Sequence, residues 1–478
     1  MARYCLPPIG LAIVLSVASP YCGAAVAQSN AIESSNPAGI SRTITTESSF
    51  DTANPFFQPL GTNGRSCATC HGLSEALTFS PTHAQNLFES SQGSHPLFAP
   101  VDGVDSPSAD MSTYETRLAN TTLIRTKGLI RVELTVPKNA EFVIERVEDP
   151  YNYATTSRIS AYRRPLSSTN LRFASTVMWD GRELPSPGKV KQALRSQVID
   201  AVLGHMQASA PPSAQIVTRI VDFETKLYTT QVFDNEAGAL DEDPINAGPE
   251  SLLQSRGFRL ASRRPTAHRA APPHRAPRPP RFDLAAVFHY FRPWSQPPAP
   301  GKSPQELKRE SIARGEKLFN TRPFTISHVP GLTDKEQSKL DRRGRTIRST
   351  TDTPMRGTCA TCHNVSSVGS SQKPLLLNTG LADGSLRTAD LPLYSLKNIR
   401  TGERIQTTDP GAAMKSGKWK DIGKFKVPSL RALETHSPYM HNGMSDDLQE
   451  ILRFYDNRFS IGLTAREKAD LEAFMEAL

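Results

Sequence analysis

The pentapeptide Cys-Ala-Thr-Cys-His occurs twice, at Cys67 to His71 and again at Cys359 to His363. Two cysteines three positions apart stand about one helical turn from each other, and a histidine follows directly. That spacing suits covalent c-type haem: the thiols reach the two vinyl groups and the imidazole comes up beneath the iron. Paired cysteines beside a histidine can also hold zinc. A closed zinc site, however, takes four ligands from nearby segments, and neither motif is followed by further Cys or His of that kind. The sequence is therefore read as carrying two covalently bound haem c groups, one held by Cys67, Cys70 and His71, the other by Cys359, Cys362 and His363.

Six cysteines are present, and the two outside the motifs, Cys5 and Cys22, fall in the opening stretch. That stretch has a basic start at Arg3, an apolar run from Ile9 to Val17 and a small-residue cleavage signal at Ala25-Val26-Ala27. This is the pattern of a cleaved signal peptide over residues 1–27, leaving a mature chain that starts near Gln28. The apolar run is too short for a membrane span, and no later segment reaches spanning length. Lipidation at Cys22 is disfavoured because Ser19-Pro20-Tyr21 lacks the small residues usual before such a site. The expectation is a periplasmic protein without a structural disulfide, since every cysteine left after cleavage is committed to haem.

A formal net charge of +9 invites a nucleic-acid or membrane reading, so its location matters. Eight arginines lie between Ser255 and Arg281 with no acidic residue among them, and Arg3 supplies the ninth charge. Elsewhere basic and acidic residues balance. The stretch 255–281 is rich in proline and poor in apolar periodicity, the composition of a disordered insertion or of a local reading-frame artefact, and no nucleic-acid partner is inferred from it.

The two motifs divide the chain. The expected fold is mainly α, built from two c-type cytochrome domains. The N-terminal one spans 45–235, a linker spans 236–300, and the C-terminal one spans 301–478. Alternation of Ile130, Val132, Leu134 and Val136, then Phe142 and Ile144 beyond Pro137-Lys138-Asn139, predicts a β-hairpin insertion at about 128–148. The polar stretch from Thr333 to Thr353 reads as a surface loop. Helical spacing of Val190, Leu194, Val198 and Val202 predicts a helix that places His205 near the end of an apolar face. Ser213 caps a second helix carrying Ile216, Ile220, Phe223 and Leu227, and a capping box at Thr464 and Glu467 announces a closing helix. His83, twelve residues past His71, reads either as a second axial ligand or as a surface histidine. Trp179 and His205 read, on pattern alone, as packed core residues.

The chain resembles the bacterial dihaem cytochrome c peroxidase and MauG family. The resemblance is carried by Lys424 to Arg431 (Lys-Phe-Lys-Val-Pro-Ser-Leu-Arg), by Pro438 to Gly443 (Pro-Tyr-Met-His-Asn-Gly), by Trp179-Asp180-Gly181-Arg182 and by both haem motifs. It implies that peroxide is cleaved at the N-terminal haem and that the C-terminal haem relays electrons, with Trp179 between them as a relay. The peroxidases carry a distal glutamate in the segment resembling Ala201 to Met206. No glutamate stands there, and His205 takes roughly that place, either as a base for peroxide heterolysis or as an iron ligand that blocks the site. At the second haem the resemblance places Tyr455 where the peroxidases have methionine, as in MauG, with Met414, Met440 and Met444 as the other candidate ligands. The family often binds calcium between its domains, but Arg164 or Pro165 stands near the place of an expected asparagine, so calcium is left open, without support from the sequence.

The implied function is a peroxidase that reduces hydrogen peroxide with electrons from a small cytochrome c or copper protein. The alternatives are a MauG-like dihaem oxidase acting on a partner protein, and a dihaem electron carrier without catalysis. A homodimer is compatible with each.

Overall fold

The computed structural model describes residues 29–183, 189–254, 287–295, 300–340 and 346–478. The expected signal peptide at 1–27 and the arginine-rich stretch at 255–281 lie outside the described residues.

The fold is mixed, with 34% helix and 19% strand, which corrects the expectation of a mainly α protein. Much of the unforeseen strand lies in a four-stranded antiparallel sheet ordered Ala31–Asn36, Gly39–Thr45, Leu227–Asp234 and Gly238–Ala239. Its two inner strands bury Ser41, Thr43, Thr45, Thr229, Thr230 and Gln231. These polar side chains serve one another: Ser41 Oγ donates to Gln231 Oε1 at 2.7 Å, and the Thr43 and Thr229 hydroxyls lie 2.8 Å apart. A strand buried on polar side chains carries no alternation of apolar residues, so periodicity does not reveal it.

The β-hairpin expected at 128–148 does not form. Strand Ile130–Thr135 pairs antiparallel with Arg158–Arg163, whereas Phe142–Glu148 pairs with Leu393–Asn398, far along the chain. The cause is the burial available: Phe142 and Ile144 pack with Tyr394, Leu396 and Met414 from the second half. The Tyr394 hydroxyl accepts from the Ser160 amide at 3.0 Å and donates to the Ser160 carbonyl at 2.8 Å, so the two small sheets are fastened together. The stretch read as a loop at 333–353 contains a paired set of strands instead, Asp334–Leu340 with Thr346–Asp352.

Two helical cores flank this strand-rich middle. In the first, helices Val190–Gly204 and Ala214–Glu224 enclose Phe56, Leu77, Leu194, Val198, Ile220 and Phe223. In the second, helix Pro304–Thr321 lies against helix Ala465–Glu476, and they meet at Gly315, where a Cβ would come within 1.9 Å of the Asp470 carbonyl oxygen. Thr464 caps the last helix with Glu467 completing the box, and Leu471, Phe474, Met475 and Leu478 are buried. Leu240, Ile245, Val287 and Phe288, from the region drawn as a linker, belong to this second core. The halves are joined by a buried ion triad as well: Arg163 bonds Asp180 at 2.7 Å and Asp409 at 2.7 and 2.9 Å.

Candidate functional site

Each Cys-Ala-Thr-Cys-His stretch forms one tight turn, and the central threonine makes it. The Ser66 amide donates to Thr69 Oγ1 at 3.0 Å, and the Thr358 amide donates to Thr361 Oγ1 at 2.9 Å. The turn then brings the histidine amide back to the first cysteine carbonyl, at 3.0 Å for His71 and 3.2 Å for His363. Each imidazole points its Nδ1 at a carbonyl six residues on: Leu77 O for His71 at 3.3 Å, Gly369 O for His363 at 2.6 Å. A proton held on Nδ1 leaves the Nε2 lone pair available to a metal and fixes the ring's orientation. A phenylalanine stands beside each ring, Phe56 at 6.4 Å from His71 and Phe319 at 6.2 Å from His363.

Burial dominates the titration of these groups. It holds both imidazoles down to about 4, against the hydrogen bonds to Leu77 and Gly369, so both rings are neutral, the form that binds iron. It also pushes the thiols up, Cys70 and Cys359 to about 12 and Cys362 to about 11, with Cys67 raised too. The four cysteines are unpaired, and among the described residues no group of three or more His, Cys, Asp and Glu is placed to hold a bare metal ion.

A cavity of about 270 Å³ opens beside the first motif, with Cys67, Cys70 and His71 on its wall together with His205, Trp179 and Met206. Two thiols and a neutral imidazole facing one mainly apolar space form a donor set that fits a tethered haem. The cavity extends to Val368, Ser370, Val427 and Pro428, close in sequence to the second motif and its following segment.

His205 is the C-cap of helix Val190–Gly204, and its ring is fixed by an interaction that the sequence did not reveal. Its Nδ1 is bonded to Asp102 Oδ2, and the other oxygen of that carboxylate takes Arg65 Nη1. Arg65 also donates to the carbonyls of Pro96 at 2.7 Å and Leu97 at 2.6 Å, and Asn63 Nδ2 donates to the His205 carbonyl at 2.8 Å. Asp102 is only 4% exposed. Burial alone would raise its pKa, but His205 and Arg65 reverse that and hold it below the usual carboxylate range. Being an acceptor only, this carboxylate keeps the His205 proton on Nδ1, which leaves the Nε2 lone pair free.

Trp179 lies on the same cavity. Its indole N–H donates to the Arg164 carbonyl at 2.8 Å, and its own carbonyl accepts from the Lys426 amide at 2.8 Å, so both halves grip it. His441 packs edge-on to Trp179 at 6.2 Å and flat on Phe425 at 3.9 Å. Glu224, a second residue that sequence reasoning missed, lines the cavity with one carboxylate oxygen unpartnered. Burial pushes its carboxyl up to about 8, against a bond from Ser168. A signal was present, for Glu224 follows Ile220 by four positions on the helix's apolar face. Asp102 and Arg65 stand in loops and left no periodic trace.

The remaining candidates fall in different places. His83 does not line this cavity: its amide is capped by Ser80 and its ring packs edge-on against Phe79 at 6.1 Å. Tyr455 sits beside the second motif, packing with the cluster that includes Cys359 and Met440 and stacking on Phe459 at 6.1 Å. Burial raises its hydroxyl pKa first, Cys362 and Cys359 add to that, and a bond with Thr379 opposes it. Met414 is buried in the middle sheets with Phe142 and Tyr394, away from that cluster.

No family model matches the chain. Cytochrome-c peroxidase IdrP1 of Pseudomonas sp. (strain SCT) is 36% identical over 140 residues, which is 25% of this chain and 36% of that protein. IdrP1 of Denitromonas iodatirespirans is 34% identical over 139 residues, 25% of this chain and 36% of that protein. The methylamine utilization protein MauG of Paracoccus denitrificans is 26% identical over 156 residues, 32% of this chain and 33% of that protein. The chain thus spans about a third of the length of the curated relatives it matches. A MauG-like protein associated with microbial copper homeostasis, known from a crystal structure, aligns over 68% of this chain and 77% of its own at 16% identity, with a TM-score of 0.31.

Proposed function

We propose that this chain is a member of the cytochrome-c peroxidase and MauG family and works as a periplasmic dihaem peroxidase. In this reading hydrogen peroxide is reduced at the first motif, and electrons from a small cytochrome c or copper protein enter at the second. Peroxide takes up two electrons and two protons and leaves as two waters. The haem at His71 would supply the iron that binds one peroxide oxygen and the route by which electrons reach it.

The protein's own groups account for the protons. His205 Nε2 takes the proton from the inner peroxide oxygen and returns it to the outer one as the O–O bond breaks. Asp102 holds the ring in the tautomer that can do this and stabilises the imidazolium while it carries the proton. His71, with Nδ1 on the Leu77 carbonyl, would hold the iron through its free Nε2. Trp179, gripped by Arg164 and Lys426, is the relay between the halves.

The observation that carries this reading is the aspartate-held histidine on the cavity wall shared with Cys67, Cys70 and His71. Steady-state reduction of hydrogen peroxide by a reduced small cytochrome c or copper protein tests it, run on oxidised and on half-reduced protein. Absence of turnover in both states refutes it. Cyanide binding at one haem excludes the non-catalytic carrier.

The position of Tyr455 beside Cys359 and Cys362 favours a second reading, a MauG-like oxidase drawing electrons from a partner protein. It predicts a long-lived oxidised state after peroxide is added to the fully ferric protein. Rapid bleaching instead refutes it.

A further inference from the structure

Arg164 is 4% exposed, yet no carboxylate pairs with it among the described residues. Its guanidinium is enclosed by five backbone carbonyl oxygens from three separate stretches. Nη2 donates to Phe79 O at 2.6 Å and to His436 O and Ser437 O at 3.2 Å each. Nη1 donates to Lys127 O and Gly128 O, both at 3.3 Å. Burial lowers its pKa to about 10, with Asp446 and Tyr439 opposing, so the group is still a cation at neutral pH.

Burying a cation without a counterion is costly unless every donor is satisfied by dipoles aimed at it, and a ring of carbonyls does that. Such a ring is also what a hard divalent ion seeks: calcium takes six to eight oxygens, backbone carbonyls among them. Here those oxygens are already committed to a side chain. A calcium ion between the halves therefore does not fit this chain.

The placement matters because of what the five carbonyls belong to. Phe79 lies two residues beyond the Leu77 carbonyl that orients His71. His436 and Ser437 belong to the second half, and the Arg164 backbone bonds the Trp179 indole on one side and the His441 carbonyl, at 2.7 Å, on the other. Gly128 is left-handed, with φ of +60°, and a Cβ there would come within 1.7 Å of Arg164 Nη1, so the guanidinium's seat requires that glycine.

We propose that Arg164 is a built-in cation that performs at this seam the ordering role of a bound divalent metal, so that the two halves stay registered around Trp179 without added calcium. Nothing in this assignment depends on the peroxidase reading, and thermal unfolding measures it separately from turnover.

The test uses the purified holoprotein. Chelator treatment, or calcium chloride added at millimolar concentration, should move the wild-type unfolding midpoint by less than about 1 °C. Arg164→Ala should lower the midpoint by about 5 °C or more, and calcium chloride should restore at least half of that loss. Arg164→Lys, which keeps the charge but loses the fork of donors, should fall between the two. Should Arg164→Ala fail to accumulate, Arg164→Lys and Gly128→Ala keep the test open, since each must lower the midpoint. A wild-type midpoint that falls on chelation, an Arg164→Ala midpoint within about 1 °C of wild type, or an Arg164→Ala protein indifferent to calcium would each overturn the proposal.

Discussion

Replacing Asp102 with asparagine probes the candidate site through one pair of oxygens. The carboxylate accepts on both sides, from His205 Nδ1 and from Arg65 Nη1. An amide of the same shape accepts on one side and donates on the other. Arg65 cannot accept, so the amide oxygen must turn to it and the amide N–H₂ must face His205. The ring can meet that donor only by placing its lone pair on Nδ1 and its proton on Nε2, and a protonated Nε2 cannot take a proton from peroxide. Removing a group that orients a reacting histidine typically costs about 10–100-fold in activity. That is about 1.4–2.7 kcal/mol of barrier. Stability should suffer too. Arg65 and Asp102 are each 4% exposed in their side chains, and breaking a buried pair costs about 3 kcal/mol or more, the Pro96 and Leu97 carbonyls keeping Arg65 at the lower end. The assay is kcat/KM for peroxide as a function of pH, alongside urea unfolding and the optical spectrum. A loss of turnover with an unchanged ferric spectrum and an altered pH profile is expected. Turnover within twofold of wild type, with the same pH profile, refutes the role given to the His205–Asp102 pair.

Three further outcomes are expected. Glu224→Gln should stabilise the protein more at pH 7 than at pH 4. The folded carboxyl keeps its proton up to about 8, whereas the unfolded one loses it near about 4.3, so stability falls as pH rises between those values and levels off above them; equal gains in urea midpoint at both pH values would exclude a buried neutral acid. Replacing Cys359 and Cys362 together by serine should halve the haem-to-protein ratio measured by alkaline pyridine spectroscopy, and an unchanged ratio would remove the second motif as an anchor. Trp179→Phe keeps an aromatic ring but loses the bond to the Arg164 carbonyl, a cost of about 1 kcal/mol. Its turnover with a protein donor should fall more than tenfold while cyanide affinity at the first site holds, and an unaltered rate would place the relay elsewhere.

The local features of this chain were legible because they depend on near neighbours along the sequence. The Cys-x-x-Cys-His spacing, the helix cap at Ser213 and the capping box at Thr464 and Glu467 are each set within a few neighbouring residues. The sheets were not legible, for two separate reasons. In Gly39–Thr45 and Leu227–Asp234 polar side chains fill the interior, so no apolar period marks them. In Phe142–Glu148 the period was present, but it names a strand and not its partner, and the nearest strand in sequence was the wrong one.

The sequence by itself determined which cysteines and histidines are proposed to hold haem, Cys67, Cys70 and His71 and then Cys359, Cys362 and His363. Covalent attachment needs a fixed spacing along one short segment, and that spacing is written in the chain. Only the tertiary structure decided what surrounds them: Asp102 lies 103 residues from the His205 it orients, and Arg164 gathers carbonyls from three distant stretches. A buried hydrogen-bonding group must find a partner wherever folding places one, and backbone carbonyls, being alike at every residue, give the sequence no way to name which will be used.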